Sequence, residues 1–475
     1  MSELREITIN PVTRVEGHGK ISIHLDDAGR AEEARFHVTQ YRGFEKFCEG
    51  RVFWEMPSIT ARICGICSIS HGIASAKACD AIIGVQISET AEKLRRLLQA
   101  GEIIQSHALH FFYLASPDLL FGMDAKPAER NVIGVIDRYP DLARMGIGLR
   151  RFGQMIFEKL SGGRIHIDYP IAGGVNATLP EKGRVELLRE CKTQLHAAQT
   201  GLELARDFCL KGGEDVEEFA RFPSLYMGLV DDSGNMEFYD GNLRLKSSDG
   251  DILEERDSDD YASMIAEGVE DWSYLKFPYY IKEGYPTGMY RVGPLGRLNV
   301  CDGMDTPLAS EAADEFKDVN GGSPIHSTMY YHWARMIETV HFVERVERLL
   351  QDDGITRRDV KTASPPKETE GIGVTEAPRG TLIHHYHVDG TGKITKVNLI
   401  VATGHNNLAM NRSVTDIARR YVDGLEVPEP TLNKMEAAIR CYDPCLSCST
   451  HAIGQMPLSV QLIDRGGRTL REISR

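Results

Sequence analysis

Two short stretches near opposite ends of the chain decide how it must fold: residues 62–71, RICGICSISH, and residues 443–451, DPCLSCSTH. Each contains a Cys-x-x-Cys pair and a following histidine, and the pairs are Cys64 with Cys67 and Cys445 with Cys448. A Cys-x-x-Cys turn directs two sulfurs at one point, so two such turns can hold a soft or borderline ion such as zinc, iron or nickel. Because the pairs lie far apart in the sequence, a shared site forms only when most of the chain folds around it.

Composition limits the class of protein. The 475 residues are 42% hydrophobic, which is ample for a sizeable core, and the net charge of −14 disfavours a general binder of nucleic acid or of anionic membranes. Ten cysteines are too few for a disulfide scaffold of this length, and thiolate metal sites fit a reducing compartment. The amino terminus has no apolar signal-peptide core, and no apolar run is long enough to span a bilayer. We therefore expect a cytoplasmic protein.

Hydrophobic periodicity predicts an α+β fold that is mainly helical. Apolar residues recur at helical spacing in residues 88–112, 187–195 and 333–346, and Ser88 suits the N-cap of the first stretch. Such long amphipathic helices favour a central bundle. A further helix is predicted to begin at the first cysteine pair, where the positive end of the helix favours thiolate over thiol.

Alternation with a period of two predicts peripheral β-hairpins and small sheets at residues 20–38 and 381–402. Acidic residues among turn signals at 231–260 predict exposed hairpins. We expect a single intertwined domain over residues 1–451. Its predicted parts are an N-terminal β region (1–40), a helical core (60–215 and 320–351) and a β-rich exposed insertion (220–300), with a separate tail at 452–475.

The simplest function for two cysteine pairs is a structural zinc site. Three features of this sequence argue against it. The pairs lie much farther apart than those of a zinc ribbon, a histidine follows each pair without being needed for a tetrahedral shell, and an arginine or an aspartate precedes each pair. These surroundings are more typical of a site that performs chemistry.

At this level of detail the sequence closely resembles the large subunit of nickel-iron hydrogenases. Besides the two cysteine stretches, the resemblance is carried in order by 14–18 (RVEGH), 41–45 (YRGFE) and 376–380 (EAPRG). The fuller wording at 41–50, YRGFEKFCEG, is similar to the bidirectional, NAD-linked branch. The resemblance implies the large-subunit fold and reversible heterolytic cleavage of H2 to protons and electrons.

The resemblance also implies a set of metal ligands. Cys64 and Cys445 would bind nickel terminally, while Cys67 and Cys448 would bridge nickel to an iron that carries carbon monoxide and cyanide, a Ni-Fe(CN)2(CO) centre. A nickel ion held by four thiolates is electron-rich and keeps open positions, as hydrogen binding requires. By the same resemblance, Glu45 and His451 would bind a buried Mg²⁺, an ion that prefers hard oxygen ligands.

Catalytic roles follow from the same resemblance. It implies that Cys445 takes the proton and that Glu16 relays it outward, a role suited to a carboxylate. Arg379 would overhang the metals, where a fixed cation polarises hydrogen or holds the cyanide environment. Asp118 and Asp443 would orient that arginine.

Three further residues are expected at the cofactor. Thr403 would donate a hydrogen bond to cyanide, although its surroundings, VATG at 401–404, depart from the commoner family pattern. Pro378 would lie beside the cofactor, and His71 would donate to a bridging sulfur.

Partners are also implied. The chain has no second cysteine set for iron-sulfur clusters and no evident Gly-x-Gly-x-x-Gly loop for a dinucleotide. The resemblance therefore implies a small subunit with clusters, and diaphorase subunits that bind FMN and NAD. It also implies that residues 452–475 are a maturation extension, which an endopeptidase removes after His451 with the help of a chaperone, so that this sequence is the uncleaved precursor.

Two alternatives remain open besides zinc. The quinone-site subunit of respiratory NADH dehydrogenases shares the fold but has lost the metal cysteines, which this chain retains. Within the hydrogenases, another cytoplasmic group passes electrons to a deazaflavin or a disulfide reductase. That choice depends on the partner subunits.

Overall fold

A computed structural model describes residues 6–424, 427–450, 459–463 and 469–474, and for the last two segments only the backbone. None of the helices in these ranges combines the length and the apolar character needed to cross a bilayer. The described helices are α1 (Phe44–Cys48), α2 (Met56–Thr60), α3 (Ser68–Ile83), α4 (Glu89–Leu109), α5 (Ser116–Phe121), α6 (Val132–Arg138), α7 (Pro140–Ser161), α8 (Glu181–Lys211), α9 (Glu214–Glu217), α10 (Pro294–Val300), α11 (Pro307–Asp318), α12 (Tyr331–Gln351), α13 (Ala402–His405), α14 (Asn407–Tyr421), α15 (Glu429–Cys441) and α16 (Leu446–Ser449).

The described strands form small sheets between and around these helices. They are β1 (Glu6–Ile9), β2 (Gly19–Leu25), β3 (Ala31–Val38), β4 (Pro170–Ile171), β5 (Gly174–Val175), β6 (Leu225–Val230), β7 (Asn242–Lys246), β8 (Ile252–Asp257), β9 (Ile265–Val269), β10 (Lys276–Tyr280), β11 (Tyr290–Arg291), β12 (Glu370–Ala377), β13 (Gly380–Val388), β14 (Ile394–Ile400), β15 (Ser459–Ile463) and β16 (Thr469–Ser474).

Four long helices form the centre of the molecule, as predicted. α4, α7, α8 and α12 pack against one another, and the apolar positions that suggested them are buried, including Leu94, Leu98 and Trp333. The α4 helix begins where predicted, because the Ser88 side chain accepts a hydrogen bond from the backbone N–H of Ala91. This bundle is the rigid support on which the cysteine motifs rest.

The hairpin predicted at residues 20–38 is confirmed. Strands β1, β2 and β3 form one antiparallel sheet in which Ile21 pairs with Phe36. The sheet packs on α14, where the Asn411 side chain accepts from the Phe36 N–H and that of Thr415 accepts from Ala34. The sheet thereby holds the segment just before β2, which carries the RVEGH motif, against the C-terminal helices.

The sheet β12–β13–β14 is less peripheral than the sequence suggested. The predicted hairpin of β13 and β14 is confirmed, and β12 adds a third antiparallel strand. β12 lies directly on α3: a Cβ on Gly373 would stand only 2.0 Å from the Ala74 carbonyl oxygen, so only glycine permits this approach. The sheet is thus fixed to the helix that follows the first cysteine pair.

The expectation of an exposed insertion at 220–300 is wrong in part. The region is β-rich, but every residue of β6 is buried, and the segment ends in the buried helix α10. Within the sheet β11–β6–β7–β8, β8 at the far edge is the mostly exposed strand, and further exposed residues lie in the turns and loops of this region. Sequence patterning failed here because the acidic turns are exposed while the strand before them packs against α10.

The tail contains a β-hairpin, with β15 antiparallel to β16. Whether this tail is a removable extension stays a prediction.

Candidate metal centre

The four cysteines from the two ends of the chain come together in one buried cluster. Their sulfurs lie within 4.8 Å of one another. The Sγ–Sγ distances are 3.3 Å between Cys67 and Cys448, 3.3 Å between Cys64 and Cys445, and 2.8 Å between Cys445 and Cys448. Four sulfurs converging from two turns form a soft donor set that suits nickel, iron or zinc.

The first pair is positioned by the start of α3. Cys67 is the N-cap residue of that helix, and the Sγ of Cys64 accepts a hydrogen bond of 3.2 Å from the Ile66 N–H. The next N–H groups of the helix, those of Ile69 and Ser70, donate to the buried carboxylate of Glu102 on α4. Burial raises the pKa of Glu102 to about 8. Glu102 therefore ties the first motif to the central bundle.

The second pair is positioned by the short helix α16. Cys445 is its N-cap residue, and the Cys445 N–H donates to Thr403 Oγ1 at 2.9 Å. Thr403 also lines the cavity beside the cysteines. Thr403 therefore lies beside the cysteines and orients the backbone of one of them, and its hydrogen bond to cyanide stays a prediction.

The RVEGH motif brings Glu16 to this helix. The backbone carbonyl of Glu16 accepts from the Leu446 N–H at 3.0 Å, and its carboxylate accepts from the Ser447 N–H at 3.0 Å and from Ser447 Oγ at 2.5 Å. Gly17 has φ +88°, and a Cβ there would stand 2.7 Å from Leu446 Cβ. The motif needs glycine next to the glutamate so that the chain can lie this close to the second cysteine pair.

Asp118 does not orient Arg379 as predicted. Its carboxylate instead accepts from Arg14, from Arg440 and, at 2.5 Å, from Arg130. Because several arginines compete for one buried aspartate, its partner could not be read from the sequence. Asp118 positions the N-terminal motif and the end of α15, just before the second cysteine pair.

Asp443 does orient Arg379. The Arg379 guanidinium donates to the Asp443 carbonyl and, over 3.2 Å, to its carboxylate, and both residues are buried. The other terminal nitrogen of Arg379, Nη1, is buried and has no hydrogen-bond partner in the described part of the chain. Since Arg379 lines the cavity beside Cys67, Cys445 and Cys448, this nitrogen is a donor available to a bound group.

A buried ion network holds the turn that carries Arg379. Arg297 donates to both carboxylate oxygens of Glu338 at 2.7 Å and to Glu376 at 2.7 Å. It also donates to the carbonyls of Ala377 and Pro378. The network thus holds the backbone on which Arg379 is presented, and the role of Pro378 beside the cofactor stays a prediction.

His71 contacts a cysteine sulfur as predicted. Its Nε2 lies 3.4 Å from Cys448 Sγ, and its Nδ1 lies 3.1 Å from His384 Nε2. The chain of contacts continues from His384 Nδ1 to the Tyr386 hydroxyl at 2.6 Å, and that hydroxyl donates to Ser75. Burial lowers the pKa of His71 to about 4, which keeps its imidazole neutral at pH 7. This chain fixes the ring so that Nε2 faces the sulfur.

Comparison with known proteins decides the family. A family model for nickel-dependent hydrogenases matches residues 42–132 and 192–451, and a HoxL-like model matches residues 6–41. The chain belongs to the nickel-dependent hydrogenases.

Relatives of this hydrogenase align along nearly its whole length. It is 45% identical to the beta subunit of the NAD-reducing hydrogenase HoxS of Cupriavidus necator, over 99% of this chain and 100% of the relative. It is also 45% identical to one subunit of the F420-non-reducing hydrogenase vhu of Methanocaldococcus jannaschii, over 87% of this chain and 99% of the relative. A crystal structure of an NAD+-reducing [NiFe]-hydrogenase in the H2-reduced state superposes with a TM-score of 0.91 at 44% identity, covering 94% of this chain and 99% of the other. The fold of this hydrogenase is thus that of the [NiFe]-hydrogenase large subunit.

The residues present fit a nickel-iron group. Hydrogen bonds from neighbouring thiols, that of Cys445 first, lower the pKa of Cys64, whereas burial raises the pKa values of Cys445 and Cys448. A bare cluster therefore retains thiol protons, and binding of divalent ions would release them. The Nη1 of Arg379, which has no partner among the described residues, can donate to an acceptor atom of a bound group. The hydrogenase offers both the soft donors and the polar contact that such a group needs.

Of the two predicted magnesium ligands, Glu45 lies in the described part of the chain. Glu45 on α1 accepts from the Leu399 N–H at 2.8 Å, and Lys276 Nζ lies 3.8 Å from its carboxylate. Burial raises the pKa of Glu45 to about 7. His451 lies outside the described residues. The Thr450 carbonyl accepts from the N–H groups of residues 42 and 43, however, so the chain just before His451 reaches the segment that carries Glu45.

Sequence reasoning missed four residues that position this hydrogenase centre: Glu102, His384, Arg297 and Arg440. For Glu102 there was a signal, because it follows Leu94 and Leu98 at intervals of four on an otherwise apolar helical stripe. The other three act through contacts between distant segments that no local pattern shows.

Proposed function

We propose that this hydrogenase catalyses the reversible heterolytic cleavage of H2 and passes the electrons, through partner subunits, to NAD+. The observation that carries the proposal is the four-cysteine cluster beside the buried Arg379, whose Nη1 has no partner within the described residues. A structural zinc site needs no such cation in its wall.

Cys64 and Cys445 are the proposed terminal nickel ligands, and Cys67 and Cys448 the proposed bridges to an iron with carbon monoxide and cyanide. When bound, the nickel-iron centre supplies the position at which H2 binds and splits. Arg379 supplies a fixed positive charge and a hydrogen-bond donor at the cavity wall, and Thr403 and His71 orient one cysteine backbone and one sulfur. Asp118 acts indirectly, because it accepts hydrogen bonds from Arg14 of the RVEGH motif and from Arg440, which lies just before the second cysteine pair.

Proton movement is proposed to run from Cys445 to Glu16. Glu16 lies beside the backbone of Leu446 and accepts from both polar groups of Ser447, so its carboxylate is held within one helical turn of two cysteines. Its side chain is half-buried, which gives it contact with both the interior and the surface. A carboxylate at such a boundary can take a proton on one side and release it on the other.

Electron transfer needs partners. The relative in Cupriavidus necator belongs to an NAD-reducing enzyme, which supports an assembly with diaphorase subunits that bind FMN and NAD and with an iron-sulfur small subunit. The F420-non-reducing relatives are similar in identity, so an acceptor other than NAD+ and other than a deazaflavin, such as a disulfide reductase, is the second candidate. The crystal structure that superposes with a TM-score of 0.91 is that of an NAD+-reducing enzyme, which supports NAD+ as the first candidate.

Maturation is the remaining part of the proposal. We infer that residues 452–475 are cut off after His451 by an endopeptidase, with a chaperone assisting nickel insertion, in the cytoplasm. The family model ends at residue 451, and the matching crystal structure covers 99% of its own chain but only 94% of this one. Glu45 and His451 would then hold Mg²⁺. A chain with four loaded cysteines that still carries the tail would contradict this order of events.

The test is H2-dependent reduction of NAD+ by the complex that co-purifies with this chain. We expect reduction of NAD+ by the wild-type complex and none by Cys445→Ser. Reduction of an artificial dye without reduction of NAD+ would favour the second candidate. Failure of H2 to reduce any acceptor, including an artificial dye, in a nickel-loaded complex would refute the proposal.

A further inference from the structure

The outer face of β13 carries a second group of metal-ligating side chains. Along a strand, alternate side chains point to opposite faces. His384 and Tyr386 face the cysteine cluster, through the contacts to His71 and Ser75. His385 and His387 therefore point to the other face, where they meet Glu370 of β12.

We propose that Glu370, His385 and His387 form a second metal site, separate from the four-cysteine centre, for a borderline divalent ion such as zinc. Two imidazoles and one carboxylate are a common set of three protein ligands, and they leave a position for water. One ligand atom from each residue lies within 4.8 Å of the others.

The three ligands are held on a rigid support. Glu370 lies directly opposite His387 in the antiparallel pairing of β12 with β13, so strand register alone brings them together. His385 Nε2 is 2.5 Å from Glu370 Oε1, and His387 Nε2 is 3.9 Å from the same oxygen. The centroids of the two imidazole rings are 4.7 Å apart. Side-chain rotation, without movement of the strands, can bring the three atoms around one ion.

A further contact orients His385. Its Nδ1 lies 2.8 Å from the hydroxyl of Tyr261. Histidines that bind metals usually donate their other ring N–H to a polar partner, which fixes the tautomer. Burial lowers the pKa of His385 and raises the pKa of Tyr261, so the neutral forms of both groups are favoured. The Tyr261 hydroxyl can donate to or accept from His385 Nδ1. When an ion binds His385 Nε2, the ring proton can therefore stand on Nδ1 and be donated to that hydroxyl.

The charges around the group are mixed. Glu370 is exposed and contributes one negative charge. Lys396 lies opposite His387 on β14, and its positive charge would repel a bound cation. Its side chain is exposed, however, and can turn into solvent. The balance suits a site of moderate affinity.

The experiment is a Co²⁺ titration of the purified full-length chain after dialysis against a chelator. Co²⁺ bound by thiolates shows sulfur charge-transfer absorption, whereas Co²⁺ bound by histidine and carboxylate shows only weaker visible bands. The wild type should therefore bind one equivalent of Co²⁺ that adds no sulfur charge-transfer band. Any Co²⁺ that the cysteines bind would be counted separately, by its sulfur bands. His387→Asn and Glu370→Gln should each lose that equivalent, and Tyr261→Phe should weaken it about 10- to 100-fold.

His196→Asn is the matched control, since His196 is an exposed histidine on α8, and it should titrate as the wild type does. Equal melting temperatures in chelator would show that the variants are folded. The proposal is overturned if the wild type binds no cobalt outside the cysteines, or if both Glu370→Gln and His387→Asn retain that equivalent. Neither result depends on H2 turnover, so failure here leaves the proposed function untouched.

Discussion

Replacement of Glu16 by glutamine separates proton transfer from assembly of the metal centre. The carboxylate makes two hydrogen bonds to Ser447, one from the N–H at 3.0 Å and one from Oγ at 2.5 Å. A glutamine can keep both, because its carbonyl accepts from the N–H and its amide donates to the hydroxyl oxygen. We therefore expect a loss of about 1 kcal/mol or less in the free energy of unfolding. What Glu16→Gln removes is the ability to gain and lose a proton.

The expected effect on turnover is much larger. A positioned acid or base contributes about 10²- to 10⁴-fold to a rate, so H2-dependent NAD+ reduction should fall by that factor, equivalent to about 3–5 kcal/mol in the activation barrier. Nickel and iron content should equal that of the wild type. Ser447→Ala is the control: it removes the hydroxyl contact but leaves the carboxylate and its bond from the N–H, and it should retain most of the activity.

Two outcomes would refute this reasoning. Turnover of Glu16→Gln within about threefold of the wild type, far short of the effect of a positioned acid or base, would show that protons leave by another route. Loss of nickel from the variant would show that Glu16 is needed for assembly of the metal centre, and it would refute the expectation that this substitution separates proton transfer from assembly.

Three further predictions concern the centre and its scaffold. Gly17→Ala would place a Cβ 2.7 Å from Leu446 Cβ at a φ of +88°. We expect about 1–3 kcal/mol of backbone strain and a reduced nickel content, measured by elemental analysis. An unchanged nickel content would contradict this prediction. Cys445→Ser should abolish turnover while circular dichroism stays that of the wild type, and retained activity would exclude Cys445 as a ligand. Glu237→Gln should destabilise the protein by about 3 kcal/mol at pH 7. Burial opposes ionisation of Glu237, but Arg345 and a second arginine outweigh it and lower its pKa from 4.5 to about 2. The stability that Glu237 contributes is therefore complete above pH 4.5 and is lost as the pH falls towards 2. The free energies of unfolding of wild type and variant, measured by denaturant titration, should therefore converge near pH 2. A difference that does not change with pH would contradict this role of the ionised carboxylate.

Much of the fold was predictable because its determinants are local. The period of two around Ile21 and Phe36, and the helical stripe that begins at Ser88, each specify an element without reference to the rest of the chain. The meeting of the two cysteine pairs was also predictable, since neither pair alone provides a four-sulfur shell.

The errors concern residues whose environment depends on distant segments. Asp118 has three arginine partners from different parts of the chain, and only the packing of those segments decides which arginines it contacts. β6 is fully buried although acidic turns follow it, because the opposing helix α10 lies far along the chain.

The central claim is that the four cysteines hold nickel and iron. It is tested most directly by determining nickel, iron and zinc in the purified complex after maturation, beside the same complex with Cys445→Ser. We predict about one nickel per large subunit in the wild type, iron in excess of what the partner clusters contain, and loss of the nickel in the variant. Zinc in place of nickel, or nickel that remains when Cys445 is replaced, would contradict the account.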